Sequence, residues 1–453
     1  MKNICLLFEI HQPFRLKKYR FYDIGADHYY YDDYANEEIL KRNAHQSYLP
    51  AAKMLLEMIN ASHKDFKVAL SISGIAIEQC EMFCPEFLDA IRELVDTGCC
   101  ELLCEPFSHS LSSLVDTDDF YEQIRQHKKI LSEDFNYVPK TFVNTGFIYN
   151  DKIGAEVASM GFRGIITEGT KHVLGWRSPN FMYSTAAKQD VGLLFRNTRL
   201  SEDICQNFQN GLDANTFINW IAQGPEQEQV YLIAMNFDVI GGIHPASTGI
   251  FDFFKALPNF AEQKQIRFIT PAEAFDNIPP VATATVGHAI SWDGYDKDVS
   301  AWMGNDLQHE AIRAIYSISE RLRLSKNEAL RQDFDYLLSA DHFKFMSTKQ
   351  GTYVPFSPYD SSFEAFTNYM NVVSDMQIRL NQEFPSTVET EELSAQLKLI
   401  DNQGKEIERL QAKIAKLEAA GKKKAAESKS ADKKTAKKPE KKAAEKKSDK
   451  ASE

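Results

Sequence analysis

Gly164-Ile165-Ile166-Thr167-Glu168-Gly169 is the stretch on which the fold turns. An apolar run ends in one glutamate, as a buried parallel strand does when it opens into a loop. The segment that follows, to Tyr183, carries His172, Trp176 and Arg177. A carboxylate at a strand end, backed by aromatic and basic side chains, suits attack on a sugar. A strand closing in a merely solvated glutamate is the plainer alternative.

Working outward, strand-like runs alternate with helical patterns through the first 275 residues. Strands are expected at Asn3–Glu9, Lys67–Ile72, Cys99–Cys104, Lys140–Asn144, Gly164–Thr167, Leu193–Arg196, Val230–Met235 and Phe268–Thr270. Helices are expected at Glu37–Asn60, Pro85–Asp96, Phe120–Phe135 and Ile153–Met160. Repeated β-then-α units imply a parallel sheet with right-handed crossovers. About seven such units favour a closed or nearly closed (β/α) barrel over an open sheet. Amphipathic helices are then expected at Glu310–Arg323, Lys326–Ser339 and Ser362–Glu383. The expected organisation is a barrel over 1–285 and a helical domain over 286–385. A helix or coiled coil over 386–420 and a disordered Lys/Ala-rich tail over 421–453 complete it. Leu393, Leu397, Ile400, Ile407, Leu410, Ile414 and Leu417 have coiled-coil spacing, interrupted at Gly404. A homo-oligomer through 388–418 and a lone solvated helix both fit that pattern.

The net charge of −12 conceals an asymmetry. Residues 421–453 hold thirteen lysines against six acidic residues, so the remainder is more acidic than the whole. An acidic body argues against nucleic acid as the main partner and is compatible with a neutral glycan. Seven cysteines, an odd number without a Cys-x-x-Cys pair, suggest neither a disulfide framework nor zinc. The N-terminal apolar run is broken by Glu9 and His11, unlike a signal peptide, and no run of 18 apolar residues suggests a membrane span. A cytoplasmic protein without cofactor or metal is expected.

In a parallel barrel, reactive residues gather where strands open into loops. The expected ends offer Glu9-Ile10-His11-Gln12-Pro13, Glu105-Pro106-Phe107-Ser108-His109, Thr145-Gly146, Glu168 and Asn236-Phe237-Asp238. Any one histidine could be an ordinary core residue; their joint placement on one face points to a site.

On these residues the chain resembles glycoside hydrolase family 57, over about residues 1–385. His11-Gln12-Pro13 matches the family's opening motif, and Gly98–Glu101 with His109 its Gly-x-x-Glu strand. Thr167-Glu168-Gly169 matches the nucleophile context, which continues through His172–Asn180. Ser291-Trp292-Asp293 and Ala301–Asn305 match a tryptophan-bearing last region. The resemblance implies a distorted (β/α)7 barrel and a retaining mechanism on α-1,4-glucans or maltooligosaccharides. Glu168 would be the nucleophile, and a second carboxyl about 5–5.5 Å away the acid. His11 and His109 would bind sugar hydroxyls, His172 and Arg177 would also bind the substrate, and Trp176 and Trp302 would stack on sugar rings. The family's acid is an aspartate; Asn236 stands there, and Asp238 matches the neighbouring glutamate. Asn144-Thr145-Gly146 also departs from an Asn-Thr-Glu pattern.

Two alternatives share these strand ends. One is a non-catalytic α-glucan-binding protein. The other is a metal-dependent polysaccharide deacetylase, which lacks here its usual His-x-x-x-His pair.

Overall fold

In a computed structural model of the chain, β1 (Asn3–Ile10) is buried almost throughout, and its two faces belong to two different cores. Ile4, Leu6, Phe8 and Ile10 pack outward with helix residues such as Leu55, Phe87, Ile218 and Leu257. Cys5 and Leu7 point inward, against Ala69, Leu103, Val143, Ile166, Leu194 and Leu232. A strand apolar on both faces is what a parallel barrel wrapped in helices requires.

The ring is β1, β2 (Val68–Ile72), β3 (Cys100–Leu102), β4 (Thr141–Val143), β5 (Gly164–Glu168), β7 (Gly192–Arg196) and β8 (Val230–Asn236). Every pairing around it is parallel. Two joints are thin. A lone bridge, Cys104 to Phe142, joins β3 to β4, and a single pair, Arg196 to Leu232, joins β7 to β8. The remaining strands lie outside the ring: β6 (Tyr183–Thr185) runs antiparallel on β7, β9 (Arg267–Phe268) pairs with the start of β1, and β10 (Ala282–Ala284) pairs with β6. This is the distorted (β/α)7 barrel that the resemblance implied.

The first expected helix is interrupted. Asp33–Asn43 and Leu49–Ala61 flank a π turn, Ala44–Tyr48. Pro50 has no N–H to donate to the preceding turn, and the Leu49 amide reaches back to Ala44 instead. The expected helix Glu310–Arg323 is likewise two, Asp306–Tyr316 and Ser319–Leu324. The break lets Ser319 Oγ and Arg323 reach Asp116, at 2.8 and 3.1 Å. The helices Glu328–Leu337, Ala340–Phe345 and Ser362–Glu383 follow, and Met1–Glu383 forms one compact unit.

The structure describes residues 1–349, 352, 354 and 356–384, and beyond them only 399, 403, 407, 410, 413 and 414. The coiled coil expected over 386–420, apart from those six positions, and the tail over 421–453 lie outside the described residues. Among the described residues no helix is long and apolar enough to cross a membrane. The cysteines are all free thiols. Cys5, Cys80, Cys84, Cys99, Cys100 and Cys104 are buried, and Cys205 is half-buried.

Candidate functional site

Inward-facing positions alternate along each strand, so the residues that cap the barrel's interior follow from register. On β1 the series Cys5, Leu7 ends in Glu9, and on β5 Ile166 is followed by Glu168. On β7 Leu194 is followed by Arg196, and on β8 Ala234 by Asn236. Glu9 pairs across the sheet with Asn236, and Glu168 with Arg196. Glu101, from the expected Gly-x-x-Glu match, lies at the other end of the barrel. There it accepts from Thr141 Oγ1 at 2.5 Å and from the Ala272 amide at 2.7 Å.

A cavity opens above this layer. His11, His109, Asn236, Asp238 and Trp302 of the expected site line it. Glu9, Tyr48, Trp292, Asp341 and Lys344 also line it. Gly146 contributes a bare patch: its φ is +54°, and a Cβ there would come within 2.5 Å of the Trp302 indole. The departure at Gly146 therefore admits an aromatic ring to the wall.

Four expected residues are elsewhere. Glu168 is fully buried behind the wall. Its Oε2 accepts from Arg196 at 2.9 Å, and its Oε1 accepts from the Gly169 amide at 3.1 Å and from Thr198 Oγ1. Arg196 also donates to the Ala234 carbonyl at 2.8 Å and lies 5.7 Å from the centre of the Trp292 ring. The other three follow a short helix, Lys171–Leu174, and the turn at Gly175, whose φ of +61° carries the chain outward. His172 is exposed and Trp176 is 95% exposed. Arg177 donates to the Val173 and Leu174 carbonyls at 2.9 and 3.2 Å and faces the Tyr183 ring. None of these three reaches the cavity.

The histidines form a stack, His11 on His109, with centroids 4.1 Å apart and planes at 20°. His11 hydrogen-bonds Ser73 Oγ at 2.7 Å and Asp341 Oδ2 at 2.8 Å. His109 takes a left-handed φ of +52° and donates from Nδ1 to Glu105 Oε2 at 2.8 Å. Ser71 Oγ holds the other Glu105 oxygen at 2.7 Å. Burial works to lower the pKa of His109, but the Glu105 bond and the Glu9 charge outweigh it and push it up to about 9. Burial raises Glu9, while His109 opposes the rise. Burial also raises Asp341, but His11 and His109 more than offset this and hold it well below the usual carboxylate range. Burial pushes Asp238 up to about 6, and its Oδ1 has no hydrogen-bond partner among the described residues.

Sequence reasoning passed over Arg196, Asp341 and Lys344. Asp341 and Lys344 arrive from a helix more than 300 residues after β1, with no motif around them. Arg196 was legible in principle, being the inward position that register pairs with Glu168.

Residues 5–287 match the family model described as Glycosyl hydrolase family 57. The chain belongs to this family. A relative from Methanocaldococcus jannaschii, named "Putative alpha-amylase", is 33% identical, with 84% of this chain and 85% of the relative covered. Two solved structures of similar fold are a GH57-type branching enzyme from Pyrococcus horikoshii and an alpha-amylase from Thermotoga maritima. The first is 13% identical with a TM-score of 0.63, covering 88% of this chain and 94% of its own. The second is 13% identical with a TM-score of 0.53, covering 85% and 98%.

Proposed function

We propose that this family 57 chain binds an α-1,4-glucan in the cavity without hydrolysing it at an ordinary amylase rate. The observation that carries this is the state of the reactive pair. Glu168 is buried in an ion pair with Arg196, and the residue at the acid position is Asn236. Glu168 does not line the cavity where a sugar would lie, and an amide cannot protonate a leaving oxygen. What remains suits holding a sugar: the Trp292 and Trp302 indoles for its faces, and His11, Asn236 and Asp341 for its hydroxyls.

Calorimetry with maltooligosaccharides tests this. Binding should weaken by roughly tenfold in Trp302→Ala, about the worth of one stacked ring. Product analysis should find the same negligible turnover in wild type and Glu168→Gln. Turnover at an ordinary amylase rate that Glu168→Gln abolishes would refute the reading.

One observation favours a second reading, retaining hydrolysis. Asp238 lines the cavity, its buried Oδ1 has no hydrogen-bond partner among the described residues, and burial raises its pKa to about 6, toward the range a general acid needs. It would protonate the glycosidic oxygen while Glu168, released from Arg196, attacks the anomeric carbon and the old C–O bond breaks. That reading requires Asp238→Asn to cripple turnover by about 10²–10⁴-fold.

A further inference from the structure

Glu9 is 6% exposed and lines the cavity, yet its carboxylate has no hydrogen-bond partner among the described residues. The charged atom that approaches it, His109 Nε2, is 3.9 Å from Glu9 Oε1. That is too far for a hydrogen bond. Two ligands about 2.0–2.2 Å from one tetrahedral ion stand roughly 3.3–3.6 Å apart, so an ion would need this pair to close by only a few tenths of an ångström. Behind His109, Nδ1 donates to Glu105 Oε2 at 2.8 Å, and Ser71 holds Glu105 in turn. A carboxylate behind the far nitrogen is how proteins fix the tautomer and aim the free nitrogen of a metal-binding imidazole. Donor atoms of Glu9, Glu105 and His109 all lie within 4.8 Å of one another.

The surrounding charge points the same way. Glu105 and Asp341 face Glu9 with negative charge, against His109 and Lys344. Lys344 is itself paired with Asp293. A cation here would sit among the carboxylates of Glu9, Glu105 and Asp341 and opposite Lys344.

We infer that Glu9 and His109 form an open divalent-cation site on the cavity wall, with Glu105 as the positioning residue that orients His109. The pair of one oxygen and one imidazole nitrogen suits zinc or a similar transition metal better than calcium or magnesium. On binding, His109 Nε2 offers its lone pair, and any proton it carries goes to solvent. Two donors from the chain leave the other positions to water or to hydroxyl groups entering the cavity. The site stands whether or not the cavity takes a glucan.

The experiment uses tag-free, full-length protein stripped with a chelator. Zn²⁺ is titrated by calorimetry, and Co²⁺ by its visible absorption as a probe of nitrogen coordination. One ion per chain is expected, and Zn²⁺ should raise the melting temperature. Glu9→Gln and His109→Gln should each weaken binding at least tenfold, and Glu105→Gln by about 10–100-fold. His172→Gln, altered outside the cavity, should bind like wild type. Circular dichroism of the stripped variants establishes that each is folded. No Zn²⁺ binding by the wild type would overturn the site. So would binding that survives unchanged in folded Glu9→Gln and Glu105→Gln.

Discussion

A guanidinium and a carboxylate buried together hold each other in place, because either one alone would be a charge without water. Removing Arg196 should therefore cost more than a surface ion pair would. Arg196→Met is expected to lower unfolding free energy by about 3–5 kcal/mol. Adding Glu168→Gln to it should restore part of that loss, and urea denaturation of both single variants and the double variant measures the coupling. Asp238 supplies a pH test. Its folded-state pKa is raised to about 6 by burial, above the ordinary value near 3.9. The folded protein thus binds this proton more tightly than the unfolded chain does, so stability declines as pH rises from about 4 through about 6. Asp238→Asn removes that decline. At pH 4 the two proteins should be equally stable. At pH 7.5 the variant should be ahead by about 1–2 kcal/mol, after discounting for partial exposure. A variant that falls behind at both pH values would mean that the charged carboxylate is favourable where it sits.

The π turn Ala44–Tyr48 delivers Tyr48 to the cavity, and it meets the loop after β8 with no room to spare. Gly241 has φ +93°, and a Cβ there would come 2.2 Å from the Gln46 carbonyl oxygen. Gly241→Ala is expected to cost about 1–3 kcal/mol, read as a lower melting temperature. Glucan affinity should fall with it, since Tyr48 and Asp238 flank the same contact. The elements themselves were largely legible. Pro85–Asp96 and Ser362–Glu383 coincide with expectation, and the ring strands differ by a residue or two. Strands buried on both faces announce themselves as apolar runs, and strand ends then mark where the site must lie. Helical spacing over Glu37–Asn60 predicts one continuous helix, although Pro50 marks the interruption in the sequence. What remained illegible was direction. Whether Glu168 faces sugar or arginine depends on its neighbour across the sheet. Whether Trp176 stacks on substrate or faces solvent depends on one turn at Gly175 with a left-handed backbone.

At the scale of the whole molecule, the compact unit Met1–Glu383 contains the ring, its helices and the cavity. A chain ended after Phe384 should melt within about 2 °C of the full-length protein, the shift of well under 1 kcal/mol in a domain this large. It should also bind maltooligosaccharides unchanged. A loss of folded protein on truncation would show that residues after 384 support the barrel. The buried thiols give the molecule a built-in stopwatch. An alkylating reagent in solution meets half-buried Cys205 first, while the other six must wait for the structure around them to open. Cys5 lies in β1, Cys100 in β3 and Cys104 at the lone bridge to β4. Mass spectra taken over time would therefore show a single early adduct, followed by either a jump of six or a staircase. A jump would make the barrel one cooperative unit. A staircase led by Cys104 would place the first fracture at the thin joint between β3 and β4, and the reagent dependence would separate the opening equilibrium from its rate.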